Sequence, residues 1–82
     1  METLARTPEH IGTALRRSRK AKGWTQKDVS EHSGLRVATI SSVENGDAGT
    51  QIKTIFAIMM ALDLEFRIGD RGTSQPDIED IF

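Results

Sequence analysis

The stretch from Thr25 to Gly46, TQKDVSEHSGLRVATISSVENG, limits the fold of this chain more than any other. Thr25 and Asp28 stand three apart, in the places of a helix N-cap and a capping-box acid. Val29 is the main buried contact of the short helix that follows. Ser30 and Ser33 keep its face small, so that another helix can come close. Gly34 supplies the left-handed turn conformation that a larger residue resists, and Leu35 returns to the core. A second short helix runs from about Arg36 or Val37 to Asn45, with Ile40 and Val43 turned inward, and Gly46 ends it. Helices this short do not persist alone, because nucleation is unfavourable, so the remainder of the chain must pack against the pair.

Residues 1–6 read as a loose arm. Thr7-Pro8-Glu9 then starts a helix: threonine caps, proline suits the first helical position and glutamate suits the positive end of the dipole. Ile11, Ala14, Leu15 and Ser18 form its inward stripe, Arg16, Arg17 and Lys20 fall mostly off it, and Gly23 stops the run. Trp24 reads as core beneath the first two helices, with base stacking as the alternative. After the loop Asp47-Ala48-Gly49, Thr50 is expected to cap a fourth helix, Gln51 to Leu62. Its core stripe is Ile52, Ile55, Phe56, Met59 and Leu62. Ile58 and Ala61 fall outside that stripe, an extra apolar flank that suggests a second partner surface.

Leu64-Glu65-Phe66-Arg67-Ile68 changes the period from 3.6 to 2, which reads as a strand. The chain offers no second strand, and an isolated one is unstable. The expected partner is the same segment of another copy. A two-fold axis at Phe66 would set Glu65 opposite the other copy's Arg67 and Leu64 opposite its Ile68, both favourable pairs. An irregular extension of the fourth helix is the alternative. The expectation is therefore an all-α bundle of four helices over residues 7–62, with one short C-terminal β-strand over 63–70 pairing across a homodimer. Residues 71–82 read as a flexible acidic tail.

Size supports that need for a partner. Eighty-two residues make one small domain, and a chain of about 60 residues buries only about 60% of its unfolded surface. There is no cysteine, so disulfides and thiolate metal sites are excluded. His10 and His32 are too far apart in sequence to make a metal set, and no cofactor is expected. The longest apolar run, Ile55 to Leu62, falls short of the roughly 20 residues that cross a bilayer, and no export signal opens the chain. A cytoplasmic protein without membrane contact is the expectation.

The net charge of −1 conceals a division. Residues 1–62 carry nine Lys/Arg against six Asp/Glu, and residues 63–82 carry two against six. Arg16, Arg17, Arg19, Lys20, Lys22 and Lys27 fall between His10 and Lys27 with no acid among them. Such a run is either a solvated helix face or an electrostatic footprint for nucleic acid.

Catalysis fits poorly. Ser30 and Ser33 beside His32 face the helix junction, the tail carboxylates have no held geometry, and no glycine-rich phosphate loop follows a strand. DNA binding fits better, because two short helices joined this tightly make a helix-turn-helix, whose second helix is sized for the major groove. Arg36 can bond guanine bidentately or hold phosphate, Val37 and Ala38 can meet thymine methyls, and Ser41 and Ser42 permit close approach. Gln26, at the start of its helix, can grip a phosphate together with free backbone N–H groups, and Lys27, Thr39 and Asn45 are further phosphate candidates.

These residues carry a resemblance. Leu15-Arg16, Gly23-Trp24-Thr25-Gln26, Gly34-Leu35, Thr39-Ile40-Ser41, Glu44-Asn45-Gly46 and Ala61-Leu62 resemble the XRE/Cro/C1-type helix-turn-helix proteins over about residues 10–62. The resemblance implies a compact, four- to five-helix lambda-repressor-like bundle that binds operators as a dimer. Base reading would fall to Arg36, Val37, Ala38, Ser41 and Ser42, and phosphate holding to Gln26 and Asn45. The chain departs from the pattern with Val29-Ser30 in place of Leu-Ala, and it lacks glutamines at 37 and 38. Gly-Trp-Thr-Gln, Ala-Thr-Ile-Ser, the Leu62-Asp63-Leu64-Glu65-Phe66 run and the acidic tail are further similar to HipB-type antitoxins. That similarity implies autoregulation of a HipBA-like toxin–antitoxin operon and binding of a kinase-fold, HipA-like toxin. Ile81 and Phe82 are the candidate toxin-docking positions, a frayed tail being the alternative. A stand-alone repressor or a restriction-modification controller is the rival reading.

Overall fold

A computed structural model describes residues 2–71. Within them four helices follow in order: α1 (Pro8–Ala21), α2 (Gln26–Ser33), α3 (Val37–Glu44) and α4 (Ile52–Ala61). The all-helical expectation holds for these residues. Helix α3 packs against both α1 and α2, and α2 also packs against α4. Leu15, Val29, Ile40, Val43, Ile55, Ile58, Met59 and Leu62 make the core, with Ile11, Trp24 and Leu35 packed on its edge.

Local chemistry explains where each helix begins and ends. The Thr7 hydroxyl accepts from the His10 N–H, with Pro8 at the first helical position. Thr25 and Asp28 form both halves of a capping box. At the other ends, the Trp24 N–H returns to the Arg19 carbonyl, Asp47 to Ser42 and Leu64 to Met59, each the six-to-one bond of a Schellman motif. The left-handed residue that this motif requires is Gly23 after α1 and Gly46 after α3, but Asp63 (φ 60°) after α4. The tight α2–α3 turn is sealed by its serines: Ser30 Oγ donates to the Leu35 carbonyl, and Ser33 Oγ accepts from the Leu35 N–H.

Three expectations need correction. Helix α4 begins at Ile52 with Gln51 as an N-cap that makes no side-chain bond, so Thr50 is not its cap. The buried face of α4 is also rotated. Ile58 lies in the core at 2% exposure, while Ile52 and Phe56 are half exposed and Met60 stands out at 81%. Ile58 is therefore not a dimerisation residue. Finally, Leu64 to Ile68 does not form a strand. A strand exists only through ladder hydrogen bonds to a neighbouring strand, and there is no strand among the described residues. Asp63 instead turns the chain back, and Phe66 packs edge-on against Phe56 with ring centroids 5.1 Å apart. The pair expected to cross between copies is satisfied within one chain, where Arg67 donates to Glu65 at 2.8 Å and also meets Glu2 at 3.2 Å. Residues 72–82, including Ile81 and Phe82, lie outside the described residues.

Candidate nucleic-acid interface

Helix α3 has two unlike sides. Ile40 and Val43 are buried, and the Glu44 side chain is only 6% exposed. At 100° per residue, Val37, Ser41, Asn45, Ala38 and Ser42 then span one continuous outward arc of about 140°. Val37, Ala38, Ser42 and Asn45 are exposed and Ser41 half-buried. Every side chain on this arc is short, so the helix backbone can come near base edges. Two methyl-bearing residues and two hydroxyls give the arc both apolar and hydrogen-bonding reach. Arg36 is the N-cap, its side chain makes no cap bond, and it is exposed at the mouth of the helix. Thr39 falls on the flank of the helix, half-buried, away from that arc.

The second cluster is the start of α2. Asp28 accepts from the Thr25 N–H at 2.8 Å, and the Asp28 N–H returns to the Thr25 hydroxyl at 3.1 Å. The backbone N–H of Thr25, then its hydroxyl, hold the Asp28 carboxyl below the usual carboxylate range. The capping box leaves the N–H groups of Gln26 and Lys27 at the helix tip, where the positive end of the dipole favours an anion. Lys27 is exposed beside them. Gln26 is half-buried and already engaged, since its Nε2 donates to Glu44 Oε1 at 3.1 Å.

Glu44 and Arg19 are site residues that sequence reasoning missed. Arg19 Nε donates to Glu44 Oε2 at 2.7 Å, Nη2 to Oε1 at 3.0 Å, and Nη1 to the Trp24 carbonyl at 2.8 Å. The hydrogen bonds to Glu44, opposed by burial and helped by its charge, keep the guanidinium above its ordinary pKa. Arg19 thus leaves the basic run, while Arg16, Arg17, Lys20, Lys22 and Lys27 stay exposed. A signal was present: Arg19 stands four residues after Leu15, in phase with the inward stripe of α1, where a charge needs a buried partner. Trp24 stacks on His32 with centroids 4.3 Å apart and rings 22° from parallel, and Lys22 Nζ lies 5.4 Å from its ring centre. His32 therefore occupies one face of the indole.

No helix among the described residues is long and apolar enough to cross a membrane. No group of three or more His, Cys, Asp or Glu among them is placed to hold a metal ion.

Comparison with known proteins agrees with this geometry. A helix-turn-helix family model, HTH_3, matches residues 15–68. Antitoxin HipB of Escherichia coli K12 is 31% identical over 71 residues, which cover 87% of this chain and 81% of that protein. The corresponding chain in a solved HipA-HipB-O2-O3 complex superposes with a TM-score of 0.80 at 30% identity, over 85% of this chain and 99% of that one. The restriction-modification controller protein C.AhdI from Aeromonas hydrophila matches with a TM-score of 0.65 at 33% identity, over 71% of this chain and 88% of its own.

Proposed function

The chain belongs to the helix-turn-helix family, and from that premise we propose that it is a cytoplasmic, sequence-specific transcriptional repressor and the antitoxin of a HipBA-like pair. It reads operator DNA with α3, represses its own operon, and binds a kinase-fold toxin. The observation that carries the DNA reading is the outward arc of α3, short side chains backed by a buried face, with Arg36 at its mouth. Arg36, Val37, Ala38, Ser41 and Ser42 meet base edges. Gln26, Lys27 and Asn45 hold phosphates, and Thr39 on the flank serves the same backbone. Two copies bind a pseudo-palindromic operator with half-sites one or two helical turns apart. They meet through the exposed apolar face of Phe56, Met60, Leu64, Phe66 and Ile68, with Glu65 and Arg67 at its rim.

Titration of DNA from the chain's own promoter at two salt concentrations tests the reading. A specific complex that weakens steeply with salt is expected, because phosphate contacts release counterions. Ser41→Glu sets a carboxylate against the groove from a half-exposed position, so it should abolish specific binding while thermal unfolding stays as in wild type. Wild-type operator affinity in that variant would reject α3 as the reader.

The similarity to C.AhdI favours a second reading, a repressor or controller without a toxin. Co-expression with the product of the neighbouring open reading frame separates the two. Stable co-purification of a kinase-fold protein supports the antitoxin, and its absence supports the controller.

A further inference from the structure

Glu44 closes α3, and its carboxylate accepts from two other elements at once. Arg19 bonds both of its oxygens from α1, and Gln26 bonds Oε1 from the tip of α2. Through Arg19 and the Trp24 carbonyl, the α1–α2 connection joins the same cluster. The location is costly for an acid, being in the last helical turn, where the dipole is negative, and nearly dry. The Arg19 fork offsets that cost. Stability alone does not call for the ion pair, since apolar residues of similar volume are often as stable there.

An apolar pair cannot orient an amide, however, and this carboxylate does. A carboxylate only accepts, so the end of Gln26 that faces it must be the NH2 group. One amide hydrogen is committed to Glu44. The other remains for an acceptor outside the fold, next to the Gln26 and Lys27 N–H groups that the capping box leaves unused.

We infer that Glu44 is a positioning residue for the DNA backbone, holding Gln26 so that its second amide hydrogen and the α2 tip donate together to one phosphate. Glu44 is also the last residue of α3. The same carboxylate therefore sets the register between that phosphate and the base-reading face. This inference rests on the DNA-binding reading above and adds to it the group that aims the phosphate contact.

The test is a scan of promoter duplexes carrying one methylphosphonate at each backbone position in turn, which removes charge at a single phosphate. Wild type should lose affinity at each phosphate it contacts, and about tenfold at the one position per half-site that faces Gln26, as expected for a charge-assisted contact. Gln26→Ala should bind the unmodified duplex about tenfold more weakly and lose most of its sensitivity to that substitution, the backbone N–H groups of the α2 tip keeping the remainder. Glu44→Asp keeps a charge for Arg19 but withdraws the carboxylate from Gln26 by one methylene. It should show the same reduced sensitivity at that position while remaining fully sensitive at the other phosphates. If Glu44→Asp loses affinity with its sensitivity pattern intact, Glu44 is only structural, and the inference falls while DNA binding stands. Wild type that binds no segment of the promoter overturns both readings.

Should Glu44→Asp not fold, hydrogen exchange of the Gln26 side-chain amide in the wild-type protein decides. One hydrogen protected in free protein and the second protected only on DNA upholds the inference. Two hydrogens equally unprotected in the free protein overturn it.

Discussion

At Gly12 the backbone of α1 lies against the end of α3 so closely that a Cβ would sit 2.4 Å from the Val43 carbonyl oxygen and 2.6 Å from that of Glu44. A glycine inside a helix ordinarily costs about 1 kcal/mol relative to alanine, so replacing it ought to help. Here the obstacle is backbone, which cannot rotate aside as a side chain would. Gly12→Ala should therefore lower stability by about 1–3 kcal/mol net, read from the urea midpoint. A raised midpoint would show that α1 and α3 can part freely. Nothing in the sequence marked Gly12, because its role depends on which carbonyls face it across 31 residues of chain. Arg19 was legible in principle, since its phase on α1 placed it inward. Its partner was not, because Glu44 sits where the dipole disfavours an acid and no local rule pairs the two.

The helix ends were the most legible elements, because capping is local chemistry. Thr7, Pro8, Thr25, Asp28, Gly23, Gly34 and Gly46 all do what their types and spacing suggest. Helix α4 was not legible in phase. Its sequence IKTIFAIMMA is apolar nearly all round, so either of two neighbouring stripes satisfies a 3.6 period, and contact with α2 selects the one containing Ile58. The capping box of α2 carries a pH dependence whose sign is fixed. Hydrogen bonds from Thr25 lower the Asp28 pKa in the folded state. The contribution of the box is thus complete above the ordinary aspartate value and is lost as pH falls through the lowered folded one. Comparing wild type with Asp28→Asn by urea unfolding, the advantage of wild type should be constant near neutrality and shrink in acid. An advantage that does not change with pH would mean that the carboxylate charge contributes nothing to the cap.

For the whole molecule, the unanswered demand of the sequence was a partner for Leu64 to Ile68, and the single chain meets that demand differently. Alternation did identify which residues are apolar together, but it could not show that Asp63 would turn the segment back onto α4. Leu64 follows Met59 through the Schellman bond, and Phe66 meets Phe56, so helix and segment present one apolar surface beside the fully exposed Ile68. A chain this small gains from covering such a surface. In the proposed dimer, a second copy covering it would also bring a second α3 to the same duplex, where tethering makes the second half-site contact effectively intramolecular. Phe66→Asp tests that link without disturbing a helix, since Phe66 lies beyond α4 and is 40% exposed. Sedimentation should shift from dimer to monomer, and affinity for a two-half-site operator should fall at least tenfold, toward that for a single half-site. Unfolding of the four-helix bundle should remain cooperative. A dimer of unchanged stability in this variant would reject the surface, and an unchanged monomer in both proteins would reject pairing before DNA is bound.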